Sequence, residues 1–150
     1  MDSHAAEIVA PIRARVWGNQ TVRILIADDD PIGRAMISVP LRTSADLEVV
    51  EAANGQQARA LFDKGHFDAV VIGWQMPGMT GLDFTRSVRL TGSQVPILMV
   101  SAQSDREHVI KAIKAGISDY LVKPFEATVL WSKISRMVGR PVETKQPVAS

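Results

Sequence analysis

Three consecutive acids, Asp28, Asp29 and Asp30, close a short apolar run with no basic residue among them. Adjacent carboxylates repel one another and tend to be kept where a hard cation neutralises them, and oxygen donors suit Mg²⁺. A hydroxyl residue, Ser101, and a cation, Lys123, each end a later apolar run. A lysine across a pocket can contact one phosphoryl oxygen and a hydroxyl can donate to another, so this set would anchor and polarise a phosphoryl group. In parallel α/β sheets ligand sites gather beyond the carboxyl ends of the strands. The residues after each apolar run therefore form one set, and Gly73 belongs to it, after the third run.

Each member also has an ordinary explanation. Acidic runs often only cap a helix, and Asp30, just before Pro31, reads as an N-cap. Ser101 can bond backbone at a strand end, and Lys123 can be a surface lysine. Trp74, next to Gly73, reads as a rim residue that covers the loop. His4, His66 and His108 are scattered and are assigned no metal.

The elements that must position these groups follow from the pattern. Near-continuous apolar runs at 22–27, 47–52, 69–72, 97–100 and 120–122 read as strands buried on both faces. Between them lie helical patterns. Gln56 to Lys64 is expected to bury Ala60 and Leu61, and Leu82 to Leu90 ends before Gly92. Asp105 to Ala115 gathers Val109, Ile110 and Ile113 on one face, with Ser104 or Asp105 as N-cap and Gly116 as C-cap. Glu126 to Val138 stops at Gly139. The first helix is expected over 31–45, with Pro31 in its first turn and Pro40 kinking or shortening it. Strands alternating with helices predict a parallel sheet with helices on both faces.

Composition sets the bounds. A chain of 150 residues suits one domain. It has no cysteine, which excludes disulfides and thiolate metal sites and fits a reducing cytosol. A net charge of +1 gives no general drive toward nucleic acid or acidic membranes. Asp2, Glu7, Pro11, Arg13 and Arg15 are wrong for a signal peptide, and nothing is long enough to span a membrane. Residues 1–20 read as an N-terminal extension, 21–139 as the domain, and 140–150 as a loose tail with Pro141 and Pro147. In the extension Ile8, Ile12 and Val16 share a helical spacing that Pro11 interrupts. Docking on the domain and disorder both stay open for it.

Four signatures, ILIADDDP, GWQMPGMTGLDF, MVSAQSD and DYLVKPF, resemble in order and spacing those of the response-regulator receiver domain, from about Val22 to Val138. The resemblance implies a flavodoxin-like, doubly wound five-stranded parallel sheet in the order 2-1-3-4-5, flanked by five helices. It also implies a cis Lys123–Pro124 peptide. By position, Asp29 would ligate Mg²⁺ directly and Asp28 mainly through water. Gln75 falls where a backbone carbonyl completes the metal site. Ser101 matches the switch hydroxyl, Lys123 the phosphoryl-binding lysine, and Tyr120 the aromatic whose rotamer follows phosphorylation.

The departure from the family pattern lies at position 73. The phosphate-accepting aspartate of these domains ends strand three, four residues before the proline of the MPG turn, and here that residue is Gly73. Glycine carries no nucleophile, so ordinary aspartyl phosphorylation cannot occur there. The resemblance then implies a cytoplasmic pseudo-receiver that is not an enzyme and acts by protein–protein interaction, with Mg²⁺ binding weakened or absent. Its expected partners are a sensor histidine kinase or histidine phosphotransfer protein, and an effector bound through the face of helix four, strand five and helix five. Homodimerisation stays open; nucleic acid and membrane are not expected partners. Two alternatives stand beside this. One is a phosphate-accepting receiver in which glycine replaces a native Asp at 73. The other is an unrelated flavodoxin-like ligand binder, although the chain has no Gly-rich phosphate loop.

Overall fold

The structure is a computed structural model that describes residues 21–139. The 1–20 extension, with Ile8, Ile12 and Val16, and the 140–150 tail lie outside the described residues. Within them five strands alternate with five helices: β1 (Val22–Ala27), α1 (Pro31–Leu41), β2 (Leu47–Ala52), α2 (Gly55–Lys64), β3 (Ala69–Gly73), α3 (Gly81–Leu90), β4 (Ile97–Ser101), α4 (Arg106–Ala115), β5 (Asp119–Val122) and α5 (Ala127–Val138). The strands form one parallel sheet in the order β2-β1-β3-β4-β5.

Strand side chains alternate between faces, so a strand buried on both sides feeds two cores. Ile24 and Ile26 of β1 join Ile37 and Leu41 of α1 and Leu130, Trp131 and Ile134 of α5 on one face. Leu25 and Ala27 join Ala58 of α2, Phe84 and Val88 of α3 and Ala112 and Ala115 of α4 on the other. This two-sided burial explains why the strands read as unbroken apolar runs.

Helix starts follow their caps. Asp30 accepts from the Ile32 and Gly33 amides at 3.2 Å each and starts α1. Thr80 and Asp83 form a reciprocal capping box on α3. Asp105 caps α4, and Gly116 ends it in the left-handed region, with φ of 109°. Helix α1 stops at Leu41, one residue past Pro40. It is therefore shorter than the predicted 31–45, because proline removes an amide that the helix would need.

Two helical faces differ from the sequence expectation. In α2 the inward residue is Ala58, while Ala60 is exposed and Leu61 half-buried. In α4 the inward residues are Ala112 and Ala115, whereas Ile110 is 36% and Ile113 60% exposed. The small alanines let α4 sit close to the sheet, and the larger aliphatics are turned outward. A periodic apolar stripe locates a face but not which apolar face is buried.

Gly81 fixes how closely α3 approaches β3. A Cβ there would lie 2.1 Å from the Gly73 carbonyl oxygen. At Gly73, by contrast, an added Cβ meets nothing nearer than 3.7 Å, which is ordinary contact. Gly81→Ala is thus expected to cost about 1–3 kcal/mol through overpacking. Gly73→Ala should be neutral, or stabilising by up to about 1 kcal/mol through reduced unfolded-state entropy. Urea unfolding of both variants checks the contrast.

Candidate functional site

The parallel sheet brings the carboxyl ends of β1, β3 and β4 and the residue after β5 to one edge. A cleft of about 220 Å³ opens there, lined by Asp28 and Asp29, Gly73, Gln75, Ser101 and Lys123, with Trp74 at its side. Six of the seven residues singled out from the sequence therefore line one cleft. The seventh, Tyr120, is not among its lining residues. Its hydroxyl donates to the Gln103 carbonyl and so ties β5 to the loop after β4.

Asp28 is only 4% exposed. A buried carboxylate is costly unless it is paired and hydrogen-bonded, and here both oxygens are engaged. Oδ2 accepts from Lys123 Nζ at 2.8 Å, and Oδ1 accepts from the Asp30 amide at 2.9 Å. Asp29 is exposed beside it, facing the cleft. Ser101 is buried; its Oγ accepts from the Gln103 amide at 3.1 Å, which leaves the hydroxyl proton available to donate. Its carbonyl accepts from the Lys123 amide at 2.9 Å, so β4–β5 pairing places the hydroxyl and the cation side by side. The Lys123–Pro124 peptide is cis.

Four supporting residues, Gly33, Arg34, Glu51 and Arg42, were not singled out from the sequence. Gly33, in the first turn of α1, lies so close that a Cβ there would stand 2.9 Å from Asp28 Oδ2 and 3.1 Å from Lys123 Nζ. A larger residue would push the Asp28 carboxylate and the Lys123 ammonium from their present places. The sequence signal was a glycine three residues after the helix cap, and nothing in spacing alone marks it as a site contact. Arg34 donates from Nη1 to the Asp28 carbonyl at 2.7 Å, and its Nε lies 3.3 Å from Glu51 Oε1. Glu51, on β2, also accepts from Arg42 at 2.7 Å. The acid loop is thus braced from behind by an Arg34–Glu51–Arg42 network.

Trp74 packs edge-on against His108, with ring centroids 4.9 Å apart. His108 Nδ1 in turn lies 2.6 Å from Asp105 Oδ1, and a hydrogen bond from His108 holds the Asp105 carboxyl below its ordinary range. His108 is therefore part of a bridge from the start of α4 to the cleft rim.

The donor set can be tested against Mg²⁺. Asp28 and Asp29 offer hard carboxylate oxygens, Gln75 lines the same cleft, and Mg²⁺ readily keeps waters to complete its octahedron. Among the described residues no group of three or more His, Cys, Asp or Glu converges to hold a metal. Asp30, the third acid of the triplet, is occupied by the α1 amides. The residues fit Mg²⁺ with two carboxylates and water in the remaining positions, once Lys123 shares or releases Asp28.

The network behind the site gives a pH dependence. Glu51 is held below its ordinary value, first by the hydrogen bond from Arg42 and further by the charges of Arg42 and Arg34 and a hydrogen bond from Ser38, against an opposing effect of burial. A carboxylate depressed on folding contributes stability that is present above its unfolded value and lost as pH falls through the folded value. Glu51→Gln should therefore be less stable than the parent at neutral pH, by about 1 kcal/mol or less for such a solvent-facing network. The gap should close as pH drops below the ordinary glutamate range. Denaturant midpoints across pH measure it.

The response regulator receiver domain model matches residues 24–135. The chemotaxis protein CheY of Pseudomonas aeruginosa is 40% identical over 121 residues, which are 79% of this chain and 98% of that protein. Among solved structures, chemotaxis protein CheY4 of Vibrio cholerae is 33% identical with a TM-score of 0.73, covering 78% of this chain and 98% of that one. The receiver domain of the sensor histidine kinase PA1611 of Pseudomonas aeruginosa is 29% identical with a TM-score of 0.73, covering 79% and 98%. That structure holds a magnesium ion coordinated in its active-site cleft. An unrelated flavodoxin-like ligand binder is accordingly not favoured. With the sheet order, the cleft and the match over residues 24–135 in agreement, this chain belongs to the response regulator receiver domain family.

Proposed function

We propose that this chain is a two-component receiver that signals through protein–protein contact and takes no phosphate at position 73. One observation carries the reading. Gly73 ends β3 inside a cleft whose other walls are Asp28, Asp29, Ser101 and Lys123. In-line phosphoryl transfer needs a carboxylate nucleophile as well as a cation and a hydroxyl to hold the phosphoryl oxygens. Every role but the nucleophile has a candidate here. Lys123 binds Asp28, which holds the two ends of the cleft together without a phosphoryl group.

Asp28, Asp29 and the Gln75 carbonyl would hold Mg²⁺, which when bound would neutralise charge on phosphoryl oxygens, with affinity weakened by the absent third carboxylate. Ser101 and Lys123 are the phosphoryl-binding groups of this reading, and Tyr120 the associated switch aromatic. The partners are a sensor histidine kinase or histidine phosphotransfer protein, and an effector on the α4–β5–α5 face. The exposed aliphatics Ile110 and Ile113 of α4 and Val122 of β5 support such a face. We place the domain in the cytoplasm and give it no enzymatic turnover of its own; among the described residues no helix is long and apolar enough to cross a membrane.

The room around Gly73 favours a second reading, in which the frame still suits a phosphate-accepting Asp. One experiment addresses both. Incubated with Mg²⁺ and a small phosphodonor, the chain should acquire no base-labile acyl phosphate by intact mass, whereas Gly73→Asp should acquire one. An acyl phosphate on the unaltered chain would refute the assignment of position 73. A folded Gly73→Asp chain that stays unmodified would leave only the constitutive binding module.

Metal affinity gives an independent check. Mg²⁺ titration followed by the fluorescence of Trp74, beside the cleft, should show weaker binding to this chain than to Gly73→Asp. Equal affinities would mean that position 73 contributes no ligand.

A further inference from the structure

The helix α1 carries an apolar stripe that no described element covers. Ile32, Met36 and Val39 are 73, 52 and 62% exposed, and their spacing places them along one helical face. Together with Phe125 and Ala127 from the far side they wall a groove of about 550 Å³ whose lining residues are all apolar. Exposed apolar surface of this kind marks an interaction site.

Chain geometry indicates the occupant. Val22 opens β1 opposite Leu47, and its amide donates to the Asp46 carbonyl at 2.8 Å. Helix α1 runs back along the sheet from the end of β1 to the start of β2. Residue 21 therefore leaves the domain at the end of α1 that carries Val39 and Pro40. Twenty residues precede it, with Ile8, Ile12 and Val16 spaced by four. At helical rise Ile12 to Val16 spans about 6 Å, and an extended step from Ile8 to Ile12 can add up to about 13 Å, enough to cover the roughly 10 Å from Ile32 to Val39. Residues 17–20 can bridge roughly 14 Å when extended. In the sequence, Pro11 suits the first turn of a helix, a pattern that pairs Ile12 with Val16 and leaves Ile8 ahead of it. The other segment outside the described residues, 140–150, offers only Val142 and Val148 as large apolar side chains, each directly after a proline.

We propose that the N-terminal segment of this chain seats Ile8, Ile12 and Val16 in the groove formed by Ile32, Met36, Val39 and Phe125 of the same molecule. This inference is independent of the state of position 73.

The chain has no cysteine, so a single nitroxide can be placed in the full-length protein at Ala14→Cys. Amide signals of residues 32–39 and Phe125 should be lost and should return when the nitroxide is reduced. Adding Ile12→Lys, which leaves every described residue unchanged, should restore them without reduction. Loss centred on α4, β5 or α5, or no localised loss, would overturn the proposal. So would loss that persists with Ile12→Lys. Signal loss in an isotope-labelled, nitroxide-free chain mixed with the spin-labelled one would assign the groove to a second copy, and would equally overturn it.

Discussion

The Lys123–Asp28 pair is the interaction on which the functional edge depends. It joins residues 95 positions apart in the chain. In the sheet, β1 and β5 are separated by β3 and β4, so the lysine reaches across the ends of two intervening strands. Asp28 could not be buried without such a partner, because an unpaired carboxylate out of water is costly. The remaining contacts follow from that demand. The Asp30 amide takes the second oxygen, Arg34 holds the backbone carbonyl, and Glu51 holds Arg34. Gly33 gives α1 the clearance to approach the pair.

This arrangement places a specific meaning on Gly73. A Cβ at Gly33 would push on the Asp28 carboxylate at 2.9 Å, and Gly81 is sterically required, since a Cβ there would meet a backbone oxygen at 2.1 Å. Gly73 is not, because the nearest atoms to an added Cβ stand 3.7 Å away. Packing therefore gives no reason for glycine at the end of β3. What it changes is chemical: no side chain stands at 73 between the acid pair and Lys123, and in the proposed reading the missing group is the carboxylate nucleophile. Asp28 then keeps Lys123 without a competing carboxylate at 73.

The surface is divided as clearly as the core. On α4 the alanines face the sheet and Ile110 and Ile113 face out, while on α1 Ile37 and Leu41 face in and Ile32, Met36 and Val39 face out. Both helices spend apolar side chains on their outer faces, where they add nothing to the core. For a domain proposed to act through contact with other proteins, the outward stripe of α4 is such a surface, whereas that of α1 is the one proposed to seat the N-terminal segment.

The sequence by itself determined the alternation of strands and helices, nearly every boundary, and the capping roles of Asp30 and Gly116, while it left the N-cap of α4 open between Ser104 and Asp105. Apolar runs and capping residues act locally, within a few positions, and so are legible in one dimension. The strand order came from the resemblance of four signatures, and the convergence of Asp28, Asp29, Ser101 and Lys123 followed from the rule that strand ends share an edge. Tertiary structure alone decided which apolar face of α2 and α4 is inward, since a helix offers the same periodicity to sheet and solvent. It also decided that Lys123 pairs with Asp28 rather than Asp29, that Gly33 and Arg34 belong to the site, and that Trp74 rests on His108. These depend on distances between residues far apart in the chain, which no local spacing encodes.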